Sequence, residues 1–407
     1  MELRANMVAG PSVVDVAIIG GGPAGTAAAL ALLRYTQRRV VVVEGTHYEQ
    51  PRVGETVSSA ALPLLDYLGA LTELSAEHRL EAFSTSAAWG SPEVSVRDFV
   101  FTGYGHGWHL DRRRFDAALA KTVAARGGTV LQGTWLRSAN FCPHQKQDNQ
   151  IQDNGTWRLK LNGTDGPAEL QARQVIDATG RRATLARYLG ARRQVYDSMV
   201  GIVGHFDLSG RVELPHTTLV EAVQNGWWYS APLPGRRVVA AFMTDIDQLR
   251  ALRLADPDVF RAQLSETSHV AATLTGGKLV AKPRVFPAES QQLEPCIGPA
   301  WVAAGDAAAA FDPLSSLGIG HALASGIQAA RIVDQRLKGL EELASAFPAD
   351  ITRNVSAFLA QRQNLYALER RWPEAPFWSR RHASAHQTLQ MANSNWQLAR
   401  QDLAQNR

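Results

Sequence analysis

The segment "AIIGGGPAGTAAALALL" at residues 17–33 constrains the fold more than any other part of the chain. Val13 to Ile19 is a nearly continuous β-branched run, the pattern of a strand buried on both faces of a parallel sheet. Thr26 to Arg34 is made of helix formers. Between them stand Gly20, Gly22 and Gly25 in a G-x-G-x-x-G spacing, with Pro23 and Ala24 inside the turn. The first glycine suits a tight turn, the second lets a pyrophosphate approach the backbone, and the third lets helix pack on strand. The N-terminus of the helix then offers free N–H groups to an anion. A second apolar run, Val40 to Val43, ends in Glu44, 24 residues on from Gly20. A carboxylate there accepts from ribose hydroxyls and repels a 2′-phosphate, so the expected ligand is a dinucleotide with an unphosphorylated adenosine.

The rest of the composition narrows the class. With 407 residues, 45% of them hydrophobic, the chain can bury a large core. Its net charge of +4 comes without a basic block, which argues against nucleic acid as a partner. Cys142 and Cys296 stand far apart, giving neither a disulfide framework nor a zinc cluster, and fit a cytoplasmic protein. HExxH and EF-hand spacings are missing too, so no metal ligands are expected. The first residues have no basic segment leading into an apolar one, and the longest apolar run is broken by glycines. Neither an export signal nor a membrane span is expected.

Two further strand ends should converge on the glycine turn. Val175-Ile176-Asp177 runs into a small-residue turn at Gly180, and Trp301 to Ala304 delivers Gly305 and Asp306 at its carboxyl end. After these comes "FDPLSSLGIGHALASG", in which Pro313 closes a loop and a helix begins near Gly318. Taken together, these motifs over about residues 13–335 resemble the flavoprotein monooxygenases of the p-hydroxybenzoate hydroxylase fold and their relatives, the flavin-dependent halogenases and geranylgeranyl-type reductases. The resemblance implies FAD as the cofactor. It places ADP on the glycine turn and Glu44, the ribitol near Gly305 and Asp306, and the isoalloxazine along the Pro313 loop. It also puts Arg52 of "PRVGE" and Arg112 of "HLDRRRFD" near FAD. Backbone N–H groups of Leu317 and Gly318 would face the ring, where a helix N-terminus favours the reduced, anionic form. A second G-x-G-x-x-G after a strand is missing, so NAD(P)H must bind transiently or a separate flavin reductase must supply electrons.

The expected class is α/β (α+β): a Rossmann-like, three-layer FAD-binding domain, an inserted antiparallel β-sheet substrate domain, and C-terminal helices. Residues 217–244 read as a meander with turns at Asn225-Gly226 and Pro234-Gly235. Phe83–Trp89, Val96–Thr102 and Met199–Leu208 extend it. The expected boundaries are 12–82, 103–190 and 283–335 for the FAD unit, 83–102 and 191–282 for the substrate sheet, and 336–407 for the helical segment. In that last segment Trp372, Phe377, Trp378 and Trp396 favour packing in the chain's own core over a partner site.

Substrate chemistry follows from a departure. Halogenases carry a WxWxIP signature where this chain has Trp227-Trp228-Tyr229-Ser230-Ala231-Pro232, and a lysine on the strand written here as residues 82–89, which has none. The segments "PRVGET", "SAAWGS" and "GWWYSAPLP" resemble the flavoprotein maturases of tryptophylquinone amino acid oxidases, such as the glycine and lysine oxidase maturases. That resemblance implies a monooxygenase hydroxylating an aromatic ring through a flavin hydroperoxide, the ring being a tryptophan of a partner oxidase precursor. The alternatives are halogenation of an aromatic small molecule and a flavin-binding chaperone without turnover. Trp227 and Tyr229, with Trp108 and Phe311, are the expected walls of a water-excluding pocket, and His106 and His109 the expected proton acceptors.

Overall fold

The computed structural model of the chain describes residues 13–99, 103–143, 155–164, 166–210 and 214–383, so Trp396 and the end of the Val96–Thr102 run lie outside the described residues. Its principal elements begin with β1 (Val14–Ile19), α1 (Pro23–Tyr35) and β2 (Val40–Val43), then β3 (Ser84–Ala88) and β4 (Ser95–Asp98). They continue with α2 (Arg112–Ala125), β5 (Thr129–Leu131) and β6 (Gly166–Asp177). The meander region holds β7 (Met199–Asp207), β8 (Thr217–Val223), β9 (Gly226–Leu233) and β10 (Arg237–Asp245). Last come β11 (Trp301–Ala303), α3 (Gly318–Arg336), α4 (Glu342–Ala367) and α5 (Pro376–His382).

The first sheet has a parallel core in the order β11-β6-β1-β2-β5, which Ile297–Gly298 extends antiparallel at β11 and Thr156–Gly163, followed by Thr134–Cys142, extends antiparallel from β6. Val16, Ala17 and Ile18 of β1 and Val42 of β2 are fully buried, which explains the unbroken apolar runs. Ile19 lies level with Val43 on one side and Asp177 on the other, and Asp177 with Ala303. The four carboxyl ends therefore open at one height, where a doubly wound sheet holds its ligand. The α1 helix crosses α3 so closely that a Cβ on Gly326 would stand 2.3 Å from the Ala24 carbonyl oxygen.

The second sheet is ordered β7-β10-β9-β8-β3-β4. Its meander is antiparallel, as the turns foretell, but β3 joins β8 in parallel, so the sheet is mixed. The expected boundary at 283 also shifts. Arg284–Pro287 pairs with β7, keeping the chain on the second sheet, whereas Arg192–Val195 pairs with Gln291–Glu294 in a small separate sheet. Helix α4 bridges the two units: Phe347, Ile351 and Val355 enter the first core, and Tyr366 enters the second beside Phe377 and Trp378 of α5. Among the described residues, no helix is long and apolar enough to cross a membrane.

Candidate functional site

A cavity of about 780 Å³ runs from the glycine turn to the second sheet, within the range typical of ligand pockets. Its outer wall is the glycine turn. Gly20 has φ +107°, and a Cβ there would meet the Ala178 carbonyl oxygen at 2.2 Å. A Cβ on Gly25 would fall 1.9 Å from the Gly20 oxygen, so this glycine serves helix-on-turn packing and does not line the cavity. Gly22 lines it, and a Cβ there would meet only Arg52 Nη1 at 3.8 Å. The backbone is therefore bare where a pyrophosphate would approach, and the site fits the phosphates of a dinucleotide.

Glu44 ends β2 in the same wall. Its Oε2 accepts from Gly21 N at 2.8 Å, and its Oε1 accepts from Thr46 N, Thr46 Oγ1 and Arg52 Nη2. Oε1 is saturated, leaving Oε2 as the acceptor with spare capacity for a ribose hydroxyl. Arg52 also binds Asp116 through Nη1 at 2.9 Å, and Arg112 binds the same carboxylate through Nε and Nη2 at 3.1 Å each. This network fixes both arginines on the cavity wall, and Pro23, Ala24 and Gly180 join them there.

At the far end, Asp306, Pro313 and Gly318 line the cavity. The Asp306 side chain is 36% exposed and stands 3.6 Å from Arg181 Nε, so it faces the open space and is no buried charge at a strand end. Gly305, with φ +61°, packs against Ala24 behind it. Asp312 is buried and fully engaged, Oδ1 accepting from Leu314 N and Oδ2 from the Tyr366 hydroxyl. The inner wall is apolar, with Tyr229, Met243, Phe286 and Phe311.

Several expected site residues lie elsewhere. Asp177 is turned inward, its carboxylate taking Thr179 N, Thr179 Oγ1 and Ala186 N, because the turn after β6 needs its N–H groups satisfied. Leu317 is 43% exposed and off the cavity wall. Trp227 points away from the cavity into the second core, donating from Nε1 to the Tyr366 hydroxyl at 3.0 Å. Trp108 is buried under the Arg79 guanidinium. His106 is about half exposed, 3.5 Å from Glu81. His109 is fully buried but lines no part of the cavity, and burial, with His216 beside it, pulls its pKa down to about 3. It stays neutral at physiological pH and makes a poor proton acceptor. Its Nδ1 shares a 3.1 Å hydrogen bond with Thr56 Oγ1, which shares another of 2.7 Å with the Tyr229 hydroxyl.

Glu55 was not singled out by its residue type, although it sits in "PRVGET". It lines the cavity next to Thr56, and burial pushes its carboxyl up to about 7, against the opposing charge of Arg112. Its Oε2 accepts from Gly54 N at 2.9 Å, while Oε1 is buried without a hydrogen-bond partner among the described residues. A second cavity of about 200 Å³ shares Glu55, Arg52, Arg112 and Phe286 with the first and opens between Arg113, Arg237, Lys282 and Arg284.

Residues 13–342 match the FAD binding domain family. LodB of Marinomonas mediterranea, which carries the name "Putative FAD-dependent oxidoreductase", is 32% identical over 372 residues, 91% of this chain and 97% of LodB. Among solved structures, the myxobacterial chondrochloren halogenase CndH superposes with a TM-score of 0.79 at 22% identity, over 92% of this chain and 87% of that one. The peptidyl tryptophan dihydroxylase QhpG, essential for tryptophylquinone cofactor biogenesis, superposes with a TM-score of 0.71 at 23% identity, over 91% and 79%.

Proposed function

We propose, from the premise that this chain belongs to the FAD binding domain family and is an FAD-dependent oxidoreductase, that it hydroxylates a tryptophan side chain of a partner polypeptide on the way to a tryptophylquinone. The observation that carries this reading is the makeup of the cavity. Among its described lining residues there is no lysine amine, and its inner end is lined by Tyr229, Phe286 and Phe311. An apolar end keeps water from a reactive oxygen species, and a halogenase pattern would need the amine. The likeness to LodB supports the oxidoreductase reading, and the likeness to the fold of the peptidyl tryptophan dihydroxylase QhpG supports the choice of substrate class.

In this assignment Gly22 and the first N–H groups of α1 hold the pyrophosphate. Glu44 Oε2 would take an adenosine hydroxyl, Asp306 would hold the ribitol, and the Pro313–Gly318 segment would face the ring. When bound and reduced, FAD supplies the two electrons that split dioxygen, one atom going to the substrate and the other to water. The chain's own part is to orient the indole against the Tyr229 wall, exclude water, and remove the proton that leaves the ring. Electrons come from transient NAD(P)H or from a separate reductase.

The test supplies reduced holoenzyme with oxygen, chloride or bromide, and a tryptophan-bearing peptide. The expected product gains one or two oxygen atoms by mass. A halogenated product assigns the chain to halogenases, and flavin that stays bound while peptide mass is unchanged assigns it to a non-catalytic binder.

A further inference from the structure

We infer that Glu55 is the catalytic base of the site: it takes the proton released from the substrate ring and passes it to solvent through the second cavity. The role rests on the hydroxylase reading above. When the ring accepts oxygen, a C–O bond forms and a C–H bond breaks. The electron pair of that bond returns to the ring, restoring aromaticity, and the proton goes to the Glu55 carboxylate. The two electrons for dioxygen come from the reduced cofactor, so the step needs no other oxidant or reductant.

The other acceptors on the wall are committed. Asp312 has both oxygens hydrogen-bonded, Glu44 Oε1 is saturated, and Glu44 Oε2 and Asp306, beside Arg181, are the acceptors assigned above to the cofactor. The Tyr229 phenol is held protonated by burial and by the Glu55 charge, and His109 is kept neutral and off the wall. Among the described residues, Glu55 alone of the acidic lining side chains belongs to both cavities, and its Oε1 has no hydrogen-bond partner. The charge facing it is Arg112, which favours its ionised form against the burial that opposes it, while the neighbouring Tyr229 phenol stays neutral. The second cavity leads past His205, kept neutral by burial and the charges of Arg237 and Arg113, to exposed Lys282 and Arg284. A cationic rim draws hydroxide and buffer anions to the mouth, and these carry the proton off.

Glu55→Gln and Glu55→Asp test the role. Infrared pH titration of the oxidised holoenzyme, with E55Q as the reference, should show a protonated carboxyl band that is lost with a midpoint near 7. In single turnovers with a tryptophan peptide, E55Q should keep its FAD and lose about 10²-fold or more in product formation. Deuterium on the indole ring should then slow that step further, while E55D should recover part of the rate. A band titrating at the ordinary glutamate value, or E55Q product at the wild-type rate without a deuterium effect, overturns the role and leaves hydroxylation standing. Wild-type enzyme that reoxidises without oxygenating the peptide removes the hydroxylase reading, and this role with it.

Discussion

Gly22 and Gly25 carry the same residue type three positions apart and do opposite work. A side chain at Gly25 collides with backbone, while one at Gly22 meets mainly open cavity. Gly22→Val should fold and purify with little or no flavin, and Gly25→Val should fail to fold; circular dichroism with the visible spectrum separates the two. For Glu55, the folded pKa of about 7 against 4.5 unfolded fixes a sign. Below 4.5 both states hold the proton and stability is full. As pH rises through 7 the buried carboxyl ionises and that stability is lost, on the order of 3 kcal/mol. Urea denaturation from pH 4.5 to 8 should therefore find E55Q gaining on wild type as pH rises; parallel curves would contradict a buried titrating carboxyl. The glycines and Glu44 were legible because their roles are set by local backbone geometry. His109, Asp177 and Glu55 were not, because burial and partners from Thr56, Ala186 and Arg112 decide their chemistry, and no local pattern encodes those.

Elements were read best where turn chemistry sits next to a run of matching period. The β8-β9-β10 meander follows from Asn225-Gly226 and Pro234-Gly235, and α3 starts at Gly318 as its loop proline implies. The side of β9 that Trp227 occupies was open. Trp227 packs with the α5 aromatics, Trp228 stacks on Phe242 in the other core, and of the expected tryptophan-motif residues Tyr229 alone reaches the cavity. Parallel pairing of β3 with β8 was equally hidden, since nothing in either run names a partner so far along the chain. The α1–α3 crossing makes its own prediction. Gly326→Val forces the helices apart where Ala24 forms cavity wall, so it should cost about 1–3 kcal/mol and weaken FAD retention together. Thermal melts and flavin stoichiometry check both.

Across the whole molecule, the two cores are joined by side chains of the last helices. Tyr366 accepts from Trp227 of the second sheet and donates to Asp312 of the cavity loop. Arg381 grips both oxygens of Asp245 at 2.9 and 3.1 Å, and its guanidinium lies over the Phe377 ring. Tyr366→Phe leaves two buried polar groups without partners and should lower stability by about 1–3 kcal/mol, with FAD release rising in step. Unchanged release would show that the cavity loop holds its shape without the helix. The tryptophans of this segment that lie among the described residues pack at home, as apolar burial favours. This bracing also orders events in time. On a ribosome the nucleotide turn emerges early, but Trp227 and Asp312 wait for Tyr366 to be made, so the nascent chain carries an unbraced cavity through most of its synthesis. Flavin loading thus belongs to the end of translation, when the late helices can close around what the early strands began.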